Sequence, residues 1–172
     1  MAEPPGSRAS SAWLAVRSLA WALMLPGVVA GYVPWRFFGL SRVRVNLLDV
    51  VDLLGLACIA VGAALLAACI KEFASSGRGT LSPVDPPTEL VVAGLYRYVR
   101  NPMYLSVATL LFGEVLLTRS RPLAIYLLAW FAVVNLFVIG YEEPTLRRTF
   151  GASYQRYTER VGRWLPSFRS RP

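Results

Sequence analysis

Histidine is absent, cysteine occurs twice, one lysine stands among eighteen basic residues, and charged residues fill only 16% of the 172 positions. Each scarcity removes a class of function. Without histidine there is no Ser-His-Asp triad and no histidine-ligated haem, and Cys58 and Cys69 alone are too few to hold zinc. Two cysteines cannot frame a disulfide-stapled secreted domain either. No GxGxxG or P-loop pattern opens a βαβ unit, and any general base must come from Glu, Asp or Tyr. Hydrophobic residues make up 55% and the mean hydropathy is +0.48, which excludes a disordered chain. A soluble domain would carry about 25% charged residues.

The charges that remain fall at the ends of long uncharged stretches. These run from Ser18 to Trp35, from Leu53 to Ile70, from Asn101 to Thr118 with only Glu114 inside, and from Pro122 to Tyr141. A bilayer core takes about 20 apolar residues as helix, and about 17 at the least. Too little polar chain is left to cover four such helices in a soluble fold. The expectation is an all-α integral membrane protein of about four transmembrane helices plus a C-terminal interfacial helix. Residues 1–12 read as a disordered tail, 13–70 as the first two spans, and 71–172 as a second region with two spans and an amphipathic helix. Val29-Ala30-Gly31 is a passable signal-cleavage site, but the apolar run is longer than an h-region, and Pro34-Trp35-Arg36 suits an interfacial anchor.

With four spans, both termini share one side. That side holds twelve basic residues against five on the other, Arg17 at a span end left aside, which places the termini and the middle loop in the cytoplasm. The net charge of +8 then reports topology and contact with anionic headgroups, and needs no nucleic acid. The arginine bias associates the chain with a GC-rich bacterial genome, and so with the bacterial cytoplasmic membrane.

Polar chemistry collects in two pieces on this side. The first contains a turn-rich run from Ser75 to Pro87 that cannot be helix, then Leu90 to Tyr104 leading into the third stretch. Asn101-Pro102 is a helix start, with Asn able to cap and Pro pre-set for the first helical position. Such a start, beside Arg100, Tyr96 and Tyr104, is a place for an anionic group, or simply a capped helix with a tyrosine belt and a snorkelling arginine. The second piece follows Tyr141. Pro144 should break or bend the arriving helix, leaving Glu142 and Glu143 at the corner. Leu146, Phe150, Tyr154, Tyr157 and Val161 then share one helix face, suiting a helix in the headgroup region with Trp164 as anchor.

Three carboxylates lie within or beside the apolar stretches. Asp49 and Asp52 sit near a helix N-terminus, where dipole complementarity accounts for them. Glu114 lies deep in the third stretch and must face the bundle interior or a cavity, as bundle glue or toward a substrate. Cys58 and Cys69 share a face of the second helix as small packing residues.

Leu90-Val91, Gly94-Leu95-Tyr96 and Arg100-Asn101-Pro102-Met103-Tyr104 form one block, and Glu142-Glu143-Pro144, Leu146, Phe150-Gly151, Tyr154, Tyr157 and Trp164-Leu165-Pro166 a second. Together, over roughly residues 75 to 168, they resemble the isoprenylcysteine carboxyl methyltransferase and phospholipid methyltransferase superfamily. The resemblance implies a membrane enzyme that binds S-adenosyl-L-methionine on its cytosolic side and admits substrate through a lipid-facing opening. Carried over by position, Tyr96, Pro102, Met103 and Tyr104 line the cofactor pocket with Leu90 and Val91 nearby. A carboxylate of the Glu142–Glu143 pair, Glu142 by ungapped spacing, takes the cofactor's amino group. The helix start at Asn101 or Arg100 suits its carboxylate, and tyrosine faces suit its sulfonium. Two departures bear on the acceptor: Asn101 stands where the family often has His, and Leu136-Phe137-Val138-Ile139 lacks the substrate-contacting Arg of the eukaryotic isoprenylcysteine enzymes. The reading is a methyltransferase acting on a lipophilic or small-molecule acceptor within a lipid bilayer. Its rivals are a small four-helix transporter using Glu114 and a catalytically silent relative.

Overall fold

The computed structural model describes residue 24 and residues 26–76, 90 and 92–166. The expected tail, the first part of the first apolar stretch (18–23 and 25), Val91 and the turn-rich run from 77 onward lie outside the described residues. Within them the regular structure is helical apart from one isolated parallel bridge, Val99 with Gly162.

A π turn, Val28–Tyr32, leads into α1 (Val33–Phe37), and a left-handed Gly39 turns the chain toward α2 (Val50–Ser76). The latter runs on through Ser75 and Ser76, two residues into the run expected to be non-helical. A short 3-10 turn, Gly94–Arg97, precedes α3 (Pro102–Thr118). Arg119 and Ser120 then reverse the chain into α4 (Arg121–Phe137), with the Ser120 Oγ capping the Leu123 amide at 3.3 Å. A second π turn, Val138–Glu142, joins α4 to α5 (Glu143–Arg160).

Both π turns end two residues before a proline, Pro34 in one case and Pro144 in the other. Proline removes one backbone donor and crowds the carbonyl four residues back. Widening by one residue absorbs that clash without ending the helix. The break expected at Pro144 is therefore a continuous π turn. The helix departs from helical geometry later, at Gly151, whose φ of 51° and ψ of −125° favour glycine.

The centre of the bundle is α3. Against α2 it packs through glycines spaced by seven: Gly55 and Gly62 on α2 meet Gly113 and the Ser106–Leu110 turn of α3. Small residues at that spacing let two antiparallel backbones approach closely. Cys69, also in this series, is buried and faces Ser106, and both cysteines are free thiols. The other side of α3 presents Val107 and Leu111 to Leu123 of α4, with Val29, Phe38 and Tyr126 completing the cluster.

Two helices among the described residues are long and apolar enough to cross a bilayer, Val50–Glu72 and the continuous run Arg121–Arg160, while α3 is apolar but shorter. Only 17% of each apolar window is buried, so neither is the covered core helix of a soluble fold. Ile125, Leu128, Val133 and Leu136 of α4 are exposed, which suits contact with lipid tails. The apolar part of the longer run ends at Tyr141, and polar chain begins at Glu142. At the bundle end formed by the α3–α4 turn, Arg119 reaches both Asp49 and the buried Asp52. Asp49 also caps α2 through the Val51 amide, so an ion pair joins the dipole as the reason for these two carboxylates.

Candidate active site

The opposite end of the bundle gathers the polar residues. Asn101 and Pro102 open α3, both buried. The asparagine does not cap with its side chain as expected. Its Nδ2 donates to the Arg163 carbonyl at 3.2 Å, drawn away by a returning segment that needs a donor. The Met103 and Tyr104 amides of the first turn are left without a side-chain cap.

That returning segment follows α5. Beyond Gly151 the helix carries Tyr154, 2% exposed, and Tyr157, whose hydroxyl donates to the Tyr96 carbonyl at 2.7 Å. The chain then passes beside the start of α3, where the Arg100 amide donates to the Gly162 carbonyl at 2.9 Å. Trp164 turns inward and is no mere interfacial anchor. Its Nε1 donates to Asn135 Oδ1 of α4 at 2.9 Å, and its ring meets Phe131 and the edge of Tyr104.

The two corner carboxylates have different surroundings. Glu143 is saturated: Oε1 accepts from Arg100 Nη1 at 2.9 Å and from Arg163 Nε at 2.6 Å, and Oε2 accepts from Arg163 Nη2 at 2.9 Å. Burial alone would raise its pKa, but the Arg163 hydrogen bond and the charges of Arg100, Arg163 and Arg147 outweigh it and hold the carboxyl below its ordinary value. The Arg163 guanidinium is correspondingly raised by its hydrogen bond to Glu143. Glu142 receives one hydrogen bond among the described residues, from the Tyr104 hydroxyl at 3.1 Å. Burial lifts its carboxyl above the ordinary range, the Tyr104 bond lowers it, and the Glu143 charge raises it. Tyr96 completes the group, its phenol pushed well up by burial and then by the electrostatic influence of Cys69, Glu142, Tyr157 and Tyr104.

The structure thus brings together Tyr96, Arg100, Asn101, Pro102, Tyr104, Glu142 and Glu143, with Met103 half-buried in the same first turn. Leu90 is half-buried just ahead of the 3-10 turn. Glu114 stands apart, ten residues along α3 from Tyr104 and so about 15 Å away along the helix axis. It is 5% exposed, faces the bundle interior, and its Oε2 has no hydrogen-bond partner among the described residues. Arg163 and Asn135 were not among the expected site residues. For Asn135 the signal was available, a lone amide in an otherwise apolar helix.

The sequence model of the phospholipid methyltransferase family matches residues 50–153, from the start of α2 to the kink in α5. The chain belongs to the phospholipid methyltransferase family. It is also 35% identical, over 63 residues, to an uncharacterized protein of Haemophilus influenzae, a stretch that is 37% of this chain and all of that protein. Membership of the phospholipid methyltransferase family agrees with the bundle: a membrane methyltransferase-type chain with apolar helices and a dense polar group at the end where α3 begins.

Proposed function

We propose that this chain transfers a methyl group from S-adenosyl-L-methionine to a lipophilic or small acceptor at the cytoplasmic face of a bacterial membrane, as a four-span protein with both termini in the cytoplasm. The observation that carries the reading is the half-open carboxylate of Glu142, held by Tyr104 beside the uncapped first turn of α3.

The donor set fits the cofactor. Glu142 keeps acceptor capacity for an ammonium, with Glu143 excluded because both its oxygens are engaged. The Met103 and Tyr104 amides, and the buried Arg100 Nε that lacks a partner among the described residues, are donors for a carboxylate. Tyr96, Tyr104 and Tyr157 supply aromatic faces for a sulfonium. When bound, the cofactor would supply a methyl group on that sulfonium, open to direct displacement. The protein's part is alignment and exclusion of water, which needs neither histidine nor a covalent intermediate. Tyr104 orients the Glu142 carboxylate, and Trp164 packs edge-to-face with Tyr104.

The test is calorimetric titration of the detergent-purified protein with S-adenosylmethionine and S-adenosylhomocysteine. Micromolar binding of both is expected, weakened about 10- to 100-fold in Glu142→Gln, the range for one hydrogen bond to a charged group. No binding by folded protein overturns the reading. Glu114, buried with an oxygen that lacks a partner among the described residues, favours the transporter as second reading. Its signature is a wild-type chain that binds neither cofactor form yet carries solute across vesicle membranes, with the flux abolished in Glu114→Gln. A catalytically silent relative would keep this fold and bind neither.

A further inference from the structure

Neighbouring carboxylates in one π-to-α junction are open to one reading as paired ligands, but their partners separate them. Every oxygen of Glu143 is used, and its partners come from two places far off in sequence, Arg100 before α3 and Arg163 after α5. The Arg163 contact is a two-pronged fork, the arrangement that fixes direction as well as distance. The segment carrying Arg163 is also fastened to the α3 side by main-chain and amide contacts: the Val99–Gly162 bridge, the Arg100 amide on the Gly162 carbonyl, and the Asn101 amide on the Arg163 carbonyl. On the α5 side, the Val161 amide donates to the Tyr157 carbonyl at 3.0 Å, and Glu143 supplies the side-chain fastening at the far end of the helix. The next residue, Trp164, meets the edge of the Tyr104 ring with centroids 6.4 Å apart, and Tyr104 is the residue that holds Glu142.

We infer that Glu143 is a positioning residue and not a ligand: through Arg163 it latches the segment from Val161 to Trp164 across the start of α3, and so sets Trp164 against Tyr104 beside the open carboxylate. The consequence for cofactor affinity rests on the methyltransferase reading. The latch itself exists in protein without cofactor, so the two can fail separately. Removing Glu143 leaves the guanidiniums of Arg100 and Arg163 facing each other with no anion between them, and the segment loses its side-chain tie to the start of α5 while keeping its bonds to α3 and the Trp164 bond to Asn135.

The experiment reads Trp164 directly, as acrylamide quenching of tryptophan fluorescence in cofactor-free protein, each variant compared with the same protein carrying Trp164→Phe. Glu143→Gln and Arg163→Gln are each expected to raise the Trp164 quenching constant roughly twofold or more, as local opening exposes the ring. The double variant should be no worse than the worse single, because both remove one contact. Arg163→Lys, which keeps the charge and one donor, should restore much of the protection, and Glu142→Gln should leave it at the wild-type value. In titrations with S-adenosylhomocysteine, Glu143→Gln should weaken binding about tenfold through the loosened roof. Wild-type quenching in both Glu143→Gln and Arg163→Gln overturns the latch, as does full additivity of the two. Should Glu143→Gln not purify folded, Arg163→Gln, which leaves Glu143 its Arg100 partner, carries the quenching measurement. Wild-type protein that shows the quenching pattern but binds no cofactor keeps the latch and sinks the methyltransferase reading.

Discussion

The seam between α2 and α3 allows a prediction whose size can be worked from distances. A methyl carbon added at Gly113 would lie 2.6 Å from the Gly55 carbonyl oxygen, 2.8 Å from Ile59 Cγ1 and 2.9 Å from the Ile59 nitrogen. At Gly62 it would meet the Leu110 nitrogen at 2.8 Å and the Ser106 carbonyl oxygen at 2.9 Å. Ordinary contact begins at 3.4 Å, so each methyl sits half an ångström or more inside it. The opposing atoms are mostly backbone, which no rotamer change can move. Alanine at either position must therefore push two helices apart along their length and loosen the contacts of their neighbours. Overpacking of this kind costs about 1–3 kcal/mol. On a chain of this size that is a fall of roughly 2–12 °C in thermal midpoint. The assay is thermal unfolding in a fixed detergent, with Gly31→Ala as control because no atom lies within 4 Å of its added carbon. Alanine there should be neutral or up to about 1 kcal/mol stabilising through helix propensity. Gly113→Ala and Gly62→Ala proteins melting with the control would refute the close approach and the packing argument built on it.

Two further outcomes follow from the polar end. Because Glu143 titrates below its ordinary value in the folded chain, it contributes stability that is fully present above the unfolded pKa of about 4.3 and is lost as pH falls through the lower folded value. Thermal midpoints should thus hold from neutral pH to about pH 5 and fall below that, with part of the fall missing in Glu143→Gln; an unchanged acid limb in the variant would contradict the assignment. Gly94 has a φ of +56°, and a carbon added there would lie 2.6 Å from Glu72 Oε2. Gly94→Ala should cost at least about 1–2 kcal/mol in midpoint stability through the left-handed backbone; a neutral result would place the turn elsewhere.

The helices were legible because charge is confined to their ends. Leu53 to Ile70 lies inside the observed Val50–Ser76, and Pro122 to Tyr141 inside the continuous run from Arg121. Asn101-Pro102 marked the start of α3 to the residue. Less legible was what proline would do. Pro144 was expected to break or bend its helix, and the identical offset of Pro34 from the other π turn shows a helix absorbing proline by widening. The glycine seam was readable too, since Gly55, Gly62 and Cys69 recur by seven, but that period says nothing of a partner until Ser106 and Gly113 are found opposite.

For the site, residue types were readable and pairings were not. The blocks around Tyr104 and Glu142 meet at one corner of the fold, and their residue types could be read because a helix start and an acidic pair are local features of a sequence. Which carboxylate is open depends on Arg163, twenty residues beyond Glu143, arriving after a turn at Gly151 that spacing alone does not orient. The same return draws the Asn101 side chain off the helix it was expected to cap and brings Trp164 inward to Asn135. One physical cause lies behind all three differences: once chain returns across a buried helix start, its carbonyls and guanidiniums must be matched there, and they outcompete the local partners that sequence order suggests. A polar residue in such a place is read correctly only when the chain that covers it is known.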